Sequence, residues 1–443
     1  MKTKHPTIHK SSHPISGWLA LLALLLTFNL QLATLFAQGV SYTNWNDLVT
    51  NWVQTSAPTN DWSSIAGSSD GTKLAAVAMA FEGNPGGIYT STNAGVTWTQ
   101  TSAPTNLAWW SIASSSDGTK LTAVADTEPI EGSVIYTSTN TGVTWTQTSA
   151  PTNLPWWSIA SSSDGTKLAA AASAYWQETY YPCGIYISTN AGVTWTRTSA
   201  PTNLPWWSIA SSSDGTKLVG VVGGESGYAG GIYTSTNAGA SWTQTSGPDE
   251  SWWSIASSSD GTKLAAVVTY GGLYTSTNAG LTWTQTSAPT NQAWLSIASS
   301  SDGTHLAAVV DGSSPDGNYI PGAIYTSTNA GVTWTQSSTP DEWWSSITSS
   351  SDGTHLAAVA YSGEIWTAQA TIQTISPCLT ISLSGNAAII SWPDTGGCTL
   401  QQCSDLTAGT WCTSGCTVTT CNGTNSITVT PATGNLFFRL TQP

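Results

Sequence analysis

Carboxylates are the most abundant side chains of this sequence that could carry acid–base chemistry. Its 443 residues include 24 acidic and 10 basic residues, with a net charge of −14. Seven aspartates recur in a Ser-Asp-Gly-Thr turn, and fourteen further acids lie in the connecting segments: Asp61, Glu82, Asp126, Glu128, Glu131, Glu178, Glu225, Asp249, Glu250, Asp311, Asp316, Asp341, Glu342 and Glu364. Hydrolysis of a glycosidic bond needs two carboxyl groups about 5 Å, or about 6.5 to 9.5 Å, apart. The fourteen acids contain either such a pair or only a solvated acidic rim.

Aromatic residues recur in the same segments and could stack on a sugar or grip a peptide. A Trp stands three residues before a strand Ile in every repeat, and we interpret it as a packing position. The next position varies: it is Trp in four repeats and Ser or Leu in the others. The four are Trp110, Trp157, Trp207 and Trp253. Because this position shares strand parity with the inward Ile, its side chains either pack in the interior or form a partly exposed aromatic ring that binds a ligand.

Two long variable segments supply the other candidate ligand-binding residues, since a repeat protein usually places specificity where its copies diverge. They are Tyr175, Trp176, Glu178, Tyr180 and Tyr181 in "SAYWQETYYPCG", and Asp311, Asp316 and Tyr319 in "DGSSPDGNYIPGA". Aromatic rings beside carboxylates suit a carbohydrate, a basic peptide or a calcium-bridged ligand, although no segment has an EF-hand pattern.

Other catalytic groups are scarce. His305 and His355, the only histidines beyond residue 13, each replace a Lys of the repeated turn, which is typical of a solvated substitution. No nucleophile elbow, zinc-protease motif or phosphate-binding loop is present. We therefore predict no catalytic residue, no metal and no cofactor.

Six of the seven cysteines fall in the last segment of the chain: Cys378, Cys398, Cys403, Cys412, Cys416 and Cys421. An even cluster in a small exported domain indicates disulfides, whose pairing the sequence does not define. A zinc site is the alternative, but the cluster has no paired C-x-x-C and no nearby histidine. Cys183 remains as a free thiol.

The repeats predict how these residues are positioned. The turn "SDGT" occurs seven times at intervals of 42 to 50 residues. Each unit has four short strands, "WWSIASS", "KLAAVA", "GIYTST" and "TWTQTS", separated by turn residues. Seven such units predict a seven-bladed β-propeller over residues 41–370. The last unit lacks its fourth strand, and "WVQTSAP" at Trp52 matches that strand, so the N-terminal segment should complete the last blade and close the ring.

The segment "STNAGVTW" resembles the Asp-box, or BNR repeat, Ser-x-Asp-x-Gly-x-Thr-Trp, of sialidases and other propeller families. All six intact copies have Asn where Asp is usual: Asn93, Asn140, Asn190, Asn237, Asn278 and Asn329. The resemblance implies a hairpin between the third and fourth strands of a blade, remote from the active face. The propeller also resembles assembly factors of the photosystem II type, although those use basic patches that this acidic chain lacks.

Sialidase activity is excluded, because the resemblance would require three arginines around the substrate carboxylate, and Lys cannot reproduce their bidentate geometry. The chain has two arginines, Arg197 and Arg439. Some Asp-box propellers are glucanases that work with an Asp pair, so a carboxylate-dependent hydrolase stays open.

The two ends of the chain differ from the repeats. Lysines followed by an apolar run predict a signal peptide over residues 1–37, with an uncleaved membrane anchor as the alternative. Residues 371–443 alternate apolar and polar positions between turn signals, which predicts a small disulfide-bearing antiparallel β-sandwich. It resembles the C-terminal domains of secreted bacterial proteins and, less closely, fibronectin type III modules.

We expect a monomeric, secreted or cell-surface bacterial propeller that binds a carbohydrate or protein ligand on its variable-loop face without catalysis. A carboxylate-dependent glycoside hydrolase and a structural surface protein are the alternatives. Its negative charge disfavours nucleic acid as a partner. No membrane span should remain after signal cleavage.

Overall fold

The structure is a computed structural model, and it describes residues 40–80, 85–127, 132–173, 175–176, 179–180, 183–223, 230–312, 321–375, 379–384, 387–393, 399–404, 410–421, 424–430 and 437–441. Asn44–Thr371 form one compact unit, and Ile372–Pro443 belong to a second. Strand β1 (Val40–Asn44) is followed by helix α1 (Asp47–Thr50) and strand β2 (Val53–Gln54). Among the described residues, no helix has the length and apolar character needed to cross a bilayer.

Repeats 1 to 6 each supply four antiparallel strands that pair in sequence order and repeat 7 supplies three, so the predicted propeller strands are confirmed. The strands are β3 (Trp62–Gly67), β4 (Leu74–Ala78), β5 (Gly87–Ser91) and β6 (Thr99–Gln100) in repeat 1; β7 (Ala108–Ser114), β8 (Leu121–Asp126), β9 (Ser133–Ser138) and β10 (Thr146–Gln147) in repeat 2; β11 (Trp156–Ser161), β12 (Leu168–Ala172), β15 (Gly184–Ser188) and β16 (Thr196–Arg197) in repeat 3, with the hairpin β13 (Tyr175–Trp176) and β14 (Thr179–Tyr180) between them; and β17 (Trp206–Ser211), β18 (Leu218–Val222), β19 (Ile232–Ser235) and β20 (Thr243–Gln244) in repeat 4.

The later repeats follow the same order, and the sheets of repeats 5 and 6 are joined where Thr269 pairs with Ala293. Their strands are β21 (Trp252–Ser257), β22 (Leu264–Gly271), β23 (Leu273–Ser276) and β24 (Thr284–Gln285) in repeat 5; β25 (Gln292–Ser299), β26 (Leu306–Val310), β27 (Ala323–Ser327) and β28 (Thr335–Gln336) in repeat 6; and β29 (Trp344–Ser349), β30 (His355–Ala360) and β31 (Ile365–Gln369) in repeat 7. Strand β2 pairs with β31 as the fourth strand of repeat 7, as predicted.

Burial explains this strand order. In the second strand of each sheet the five residues that begin at Leu are all buried, as in "LAAVA" of β4, whereas the two-residue fourth strands are exposed. A central strand that is covered on both faces by neighbouring sheets needs a continuous run of small apolar residues, and the edge strand does not. The apolar cores accordingly lie between consecutive repeats, as where Val77 and Ile88 of repeat 1 pack with Trp109 and Ile112 of repeat 2.

The turn between the first two strands is held by its aspartate. In repeat 1 the Ser68 hydroxyl donates to Asp70 Oδ1 at 2.6 Å, and the Thr72 amide donates to the same oxygen at 3.0 Å. These bonds lower the Asp70 pKa to about 2. Gly71 has φ +70°, a conformation that glycine adopts without steric cost.

The "STNAG" turn has the hairpin role that its resemblance implied. Asn93 Oδ1 accepts the Thr97 amide at 2.9 Å, while its Nδ2 donates to the Thr97 hydroxyl at 2.9 Å. Ala94 and Gly95 both have positive φ, at 55° and 87°. The amide group of Asn therefore supports this turn between the third and fourth strands.

Two series of hydrogen bonds link each repeat to the next and connect repeat 7 back to repeat 1. In the first, a first-strand Ile amide donates to a Ser hydroxyl of the preceding repeat at 3.2–3.4 Å, ending with Ile65 donating to Ser346. In the second, backbone amides and carbonyls of turn serines bond at 2.7–2.8 Å, ending with Ser351 donating to Ser69. The same two contacts thus recur at every junction between repeats.

The second unit contains two antiparallel sheets. One has the order β33 (Thr380–Ser384), β34 (Ala387–Pro393), β38 (Thr424–Val429) and β37 (Thr419–Cys421), and the other β36 (Cys412–Thr413), β35 (Thr399–Cys403) and β39 (Phe437–Thr441). Trp392, Ile427 and Phe438 of the two sheets share one apolar core. Strand β32 (Thr371–Ile375) pairs with β1.

The predicted disulfides are not seen in the part of the second unit that the structure describes. Cys403, Cys412, Cys416 and Cys421 have free thiols there, and Cys378 and Cys398 lie outside the described residues. In the first unit Cys183 is a buried free thiol that donates to the Thr202 carbonyl at 2.6 Å.

Candidate functional site

The invariant Trp of each first strand is a packing residue, as interpreted from its recurrence. All seven of these side chains are fully buried: Trp62, Trp109, Trp156, Trp206, Trp252, Trp294 and Trp344. In five repeats the indole N–H donates to a proline carbonyl of the preceding connection, as from Trp109 to Pro104 at 3.0 Å. The buried indole N–H groups of Trp62 and Trp344 have no hydrogen-bond partner among the described residues. Full burial makes all seven side chains packing residues rather than ligand contacts.

The variable position that follows this Trp lies on a β-bulge in every repeat. In repeat 2 Trp109 pairs with Ala125 and Ser111 with Val124, so Trp110 has no ladder partner of its own. A bulge breaks the period-two alternation and re-aims the side chain. The argument that Trp110 shares the face of Ile112 was therefore wrong, because it assumed an uninterrupted strand.

The four variable tryptophans form one continuous arc, here called the aromatic arc: Trp110, Trp157, Trp207 and Trp253. The ring centroids of successive members lie 4.8, 4.5 and 4.8 Å apart, with interplanar angles of 48°, 37° and 29°. All four side chains are partly exposed, and Trp110 and Trp253 also pack against buried apolar cores, so both alternatives hold in part. The bulge thus brings together side chains that are about 50 residues apart in the chain, on the first strands of four consecutive sheets.

The same position is smaller in the remaining repeats. Ser63 donates its hydroxyl to the Trp109 carbonyl at 2.6 Å, and Ser345 donates to the Trp62 carbonyl at 2.7 Å. Leu295 occupies it in repeat 6. Repeats 7 and 1 therefore continue the row beyond the Trp110 end of the aromatic arc with small hydroxyl side chains.

A buried carboxylate holds that end of the arc. Trp110 Nε1 donates to Asp126 Oδ2 at 2.7 Å, and the Ser133 hydroxyl donates to Asp126 Oδ1. Burial raises the pKa of the Asp126 carboxyl, and the bonds from Ser133 and Trp110 only partly offset this effect. Asp126 was one of the fourteen acids but was not predicted as a site residue. The available signal was an acid five residues after the first Leu of a second strand, which occurs only at Asp126 and Asp311.

Three acids converge where repeat 7 meets repeat 1, and we call Asp61, Glu342 and Glu364 the acidic cluster. Asn60 and Gly363 form a backbone bridge between the two repeats, and Ser362 donates to Asp61 Oδ1 at 2.6 Å. Glu342 Oε2 lies 3.3 Å from where a Cβ on Gly363 would be. Burial, followed by the charges of Glu364 and Asp341, raises the pKa of the Glu342 carboxyl.

Trp343, which directly follows Glu342, is a second residue that sequence reasoning missed. Its side chain is 51% exposed, whereas the Trp that follows it is buried. An exposed Trp next to carboxylates offers both a π-face and negative charge to a cation. The doubled Trp of "DEWW" was the available signal, but it was read as the packing position alone.

The remaining predicted site residues are placed only in part. Asp311 follows β26, with its amide donating to the Ala293 carbonyl at 3.1 Å. The backbones of Tyr175, Trp176 and Tyr180 form the β13–β14 hairpin. Glu178, Tyr181, Asp316 and Tyr319 lie outside the described residues. No cluster of three potential metal ligands occurs within the described part of the chain.

The repeated four-stranded sheets, with contacts that return from repeat 7 to repeat 1, define the chain as a β-propeller. Neither protein-family models nor curated protein sequences match it. Solved structures share the fold at low identity. One is YCF48 from Cyanidioschyzon merolae, with a TM-score of 0.52, 16% identity, and coverage of 72% of this chain and 98% of that one. Another is YCF48 bound to a D1 peptide, with a TM-score of 0.52 and 16% identity. That match covers 75% of this chain and 99% of the other.

The GH74 xyloglucanase from Xanthomonas campestris is similar in fold as well. Its TM-score is 0.55 at 17% identity, and the match covers 78% of this chain but 59% of the enzyme. At these identities the likeness concerns the fold alone. It agrees with the resemblance to Asp-box propellers that the turns carry.

Proposed function

We propose that the chain is an exported, non-catalytic, seven-bladed propeller that binds a carbohydrate or protein ligand on its variable-loop face. The ring closure is supported by the two series of hydrogen bonds that return from repeat 7 to repeat 1. Antiparallel pairing puts the "SDGT" and "NAG" turns at one end of every sheet. The aromatic arc, beside the opposite connections, therefore lies on the variable-loop face.

The aromatic arc is the observation that carries this proposal. Four partly exposed indoles in ring contact form one apolar surface at the inner rim. In repeats 1 and 7 the position is Ser, so the architecture does not need Trp there. Partly exposed aromatic surface with polar groups at its edge is typical of a ligand site.

Array binding with the purified full chain tests the proposal. We expect the chain to bind members of a glycan or peptide array, and Trp157→Ser, which introduces the residue found in repeats 1 and 7, to weaken that binding at least tenfold. Near-UV circular dichroism checks that the variant stays folded. A chain that binds neither glycans nor peptides would favour the structural surface protein instead.

A carboxylate-dependent glycoside hydrolase is the second candidate, because one observation favours it. The Glu342 carboxyl has a raised pKa beside Glu364, as a general acid beside a second carboxylate would. The proposal of a non-catalytic protein predicts no release of reducing sugar from β-glucan or xyloglucan. Turnover that Glu342→Gln abolishes would establish the hydrolase.

A further inference from the structure

Resting on the proposed function, we propose that the ligand of the aromatic arc is a cationic peptide segment. Its apolar side chains would contact the arc, and its Lys or Arg side chains would occupy the acidic cluster beside Trp343. This assigns one chemical class of ligand to one side of the propeller rim.

The two faces of the propeller carry different charge. All five lysines of the first unit belong to the "SDGT" turns, and their Nζ atoms donate to backbone carbonyls of the next turn at 2.6–2.7 Å. The remaining cation, Arg197, lies on the outermost strand of its sheet and donates to the Cys183 carbonyl at 2.9 Å. The variable-loop segments contain acids but no Lys or Arg. Arg197 thus reaches the variable segment of repeat 3, and the rim at repeats 7 and 1 is the part of this face that is complementary to a cation.

The acidic cluster is next to the arc in the order of the repeats. Glu342 and Glu364 belong to repeat 7, and Asp61 belongs to repeat 1. Ser63, two residues after Asp61, donates to the carbonyl of Trp109, the residue before Trp110. In the order of the first strands, Ser63 thus stands between repeat 7, which carries Glu342 and Glu364, and the Trp110 end of the arc. An extended segment of a few residues spans such neighbouring sites.

The charged groups that shift the pKa of the Glu342 carboxyl are Glu364 and Asp341, and both are acidic. A guanidinium or ammonium group bound there would relieve the repulsion between Glu342 and Glu364. Trp343 would add a cation–π contact. Successive indoles of the arc contact each other and so form a continuous apolar wall, which suits Leu or aromatic side chains better than separate sugar rings.

Three probes test the inference by tryptophan fluorescence titration of the full chain: a capped hexapeptide alternating Leu and Lys, the same peptide with Glu in place of Lys, and a cello-oligosaccharide. We expect the Lys peptide alone to bind, with at least tenfold weaker binding in 500 mM than in 50 mM salt. Trp343→Ser and the double variant Glu342→Gln, Glu364→Gln should each weaken binding about tenfold.

Two controls separate this site from general charge or apolar effects. Leu281→Ser removes a 74% exposed apolar side chain from a turn at the other end of its sheet, and Asp405→Asn removes one negative charge from the second unit. Both should keep the wild-type affinity within twofold. Oligosaccharide binding without Lys-peptide binding would overturn the inference and leave the proposed function standing. Failure of all three probes would overturn both, and peptide binding unaffected by the site variants would overturn the inference.

Discussion

Ser346→Ala tests whether the propeller is a closed ring. The Ser346 hydroxyl accepts the Ile65 amide at 3.3 Å, and this bond joins the last repeat to the first across 281 positions of sequence. Ser158→Ala is the matched control, because Ser158 accepts the Ile209 amide at 3.2 Å between two repeats that are consecutive in the chain.

The expected magnitude follows from what each change removes. A net hydrogen bond contributes about 1 kcal/mol, and a buried N–H left without a partner costs about 1–3 kcal/mol. Neither change removes much apolar surface, since only a hydroxyl is lost. Ser346→Ala and Ser158→Ala should therefore each lower the free energy of unfolding by about 1–2 kcal/mol, with Ser346 at the upper end because it is buried.

Urea denaturation followed by tryptophan fluorescence measures the two free energies, and hydrogen exchange of the peptide containing Ile65 shows whether its amide loses protection. In a closed ring both variants lose stability by similar amounts. If Ser158→Ala is destabilised but Ser346→Ala keeps the wild-type stability and the Ile65 amide exchanges as before, the last repeat does not dock on the first. The pairing of β2 with β31 would then be the contact that keeps the sheet of repeat 7 attached to the N-terminal part of the propeller.

Three further predictions follow from the same structure. Asp126→Asn should raise stability at neutral pH, because the carboxyl pKa is raised in the folded protein. Ionisation of Asp126 therefore opposes folding above that pKa and has no effect on stability below about 3.8. Thermal melts should show a gain at pH 7 and none at pH 3.5, and a gain at both pH values would contradict the prediction. Asn93→Asp should change the free energy of unfolding by no more than about 0.5 kcal/mol, since a carboxylate can still accept from the Thr97 amide. Asn93→Ala removes both side-chain bonds to Thr97 and should lower it by about 1 kcal/mol. Equal losses for the two variants in urea melts would refute the role assigned to the Asn93 side chain. The "SDGT" aspartates have pKa values lowered to about 2 in six repeats. Their stabilising effect is therefore complete above about pH 4 and is lost as the pH falls through about 2. Circular dichroism should show acid unfolding between these pH values, and a fold unchanged at about pH 1.5 would disprove the linkage.

The amino-acid sequence by itself determined the strands, the turns and the pairing of β2 with β31. These features depend on local chemistry that repeats in the chain: small apolar runs such as "LAAVA", Asp and Asn that bond their own turns, and a missing strand with a matching copy at Trp52. Repetition made each local signal visible several times, so chance patterns could be set aside. The packing role of the invariant Trp followed from the same recurrence.

Only the tertiary structure decided what the variable positions do. The bulge before Ser111 has no signature in a strand read by alternation, yet it turns Trp110 out of the ladder and toward Trp157. The bond from Trp110 to Asp126 depends on how the bulge aims a side chain within one repeat, and the convergence of Asp61 with Glu342 depends on which repeats become neighbours. Contacts between sheets join residues far apart in sequence, and their geometry is fixed by packing rather than by local preference. For that reason the sequence could identify the face of the site, whereas the fold had to assemble it.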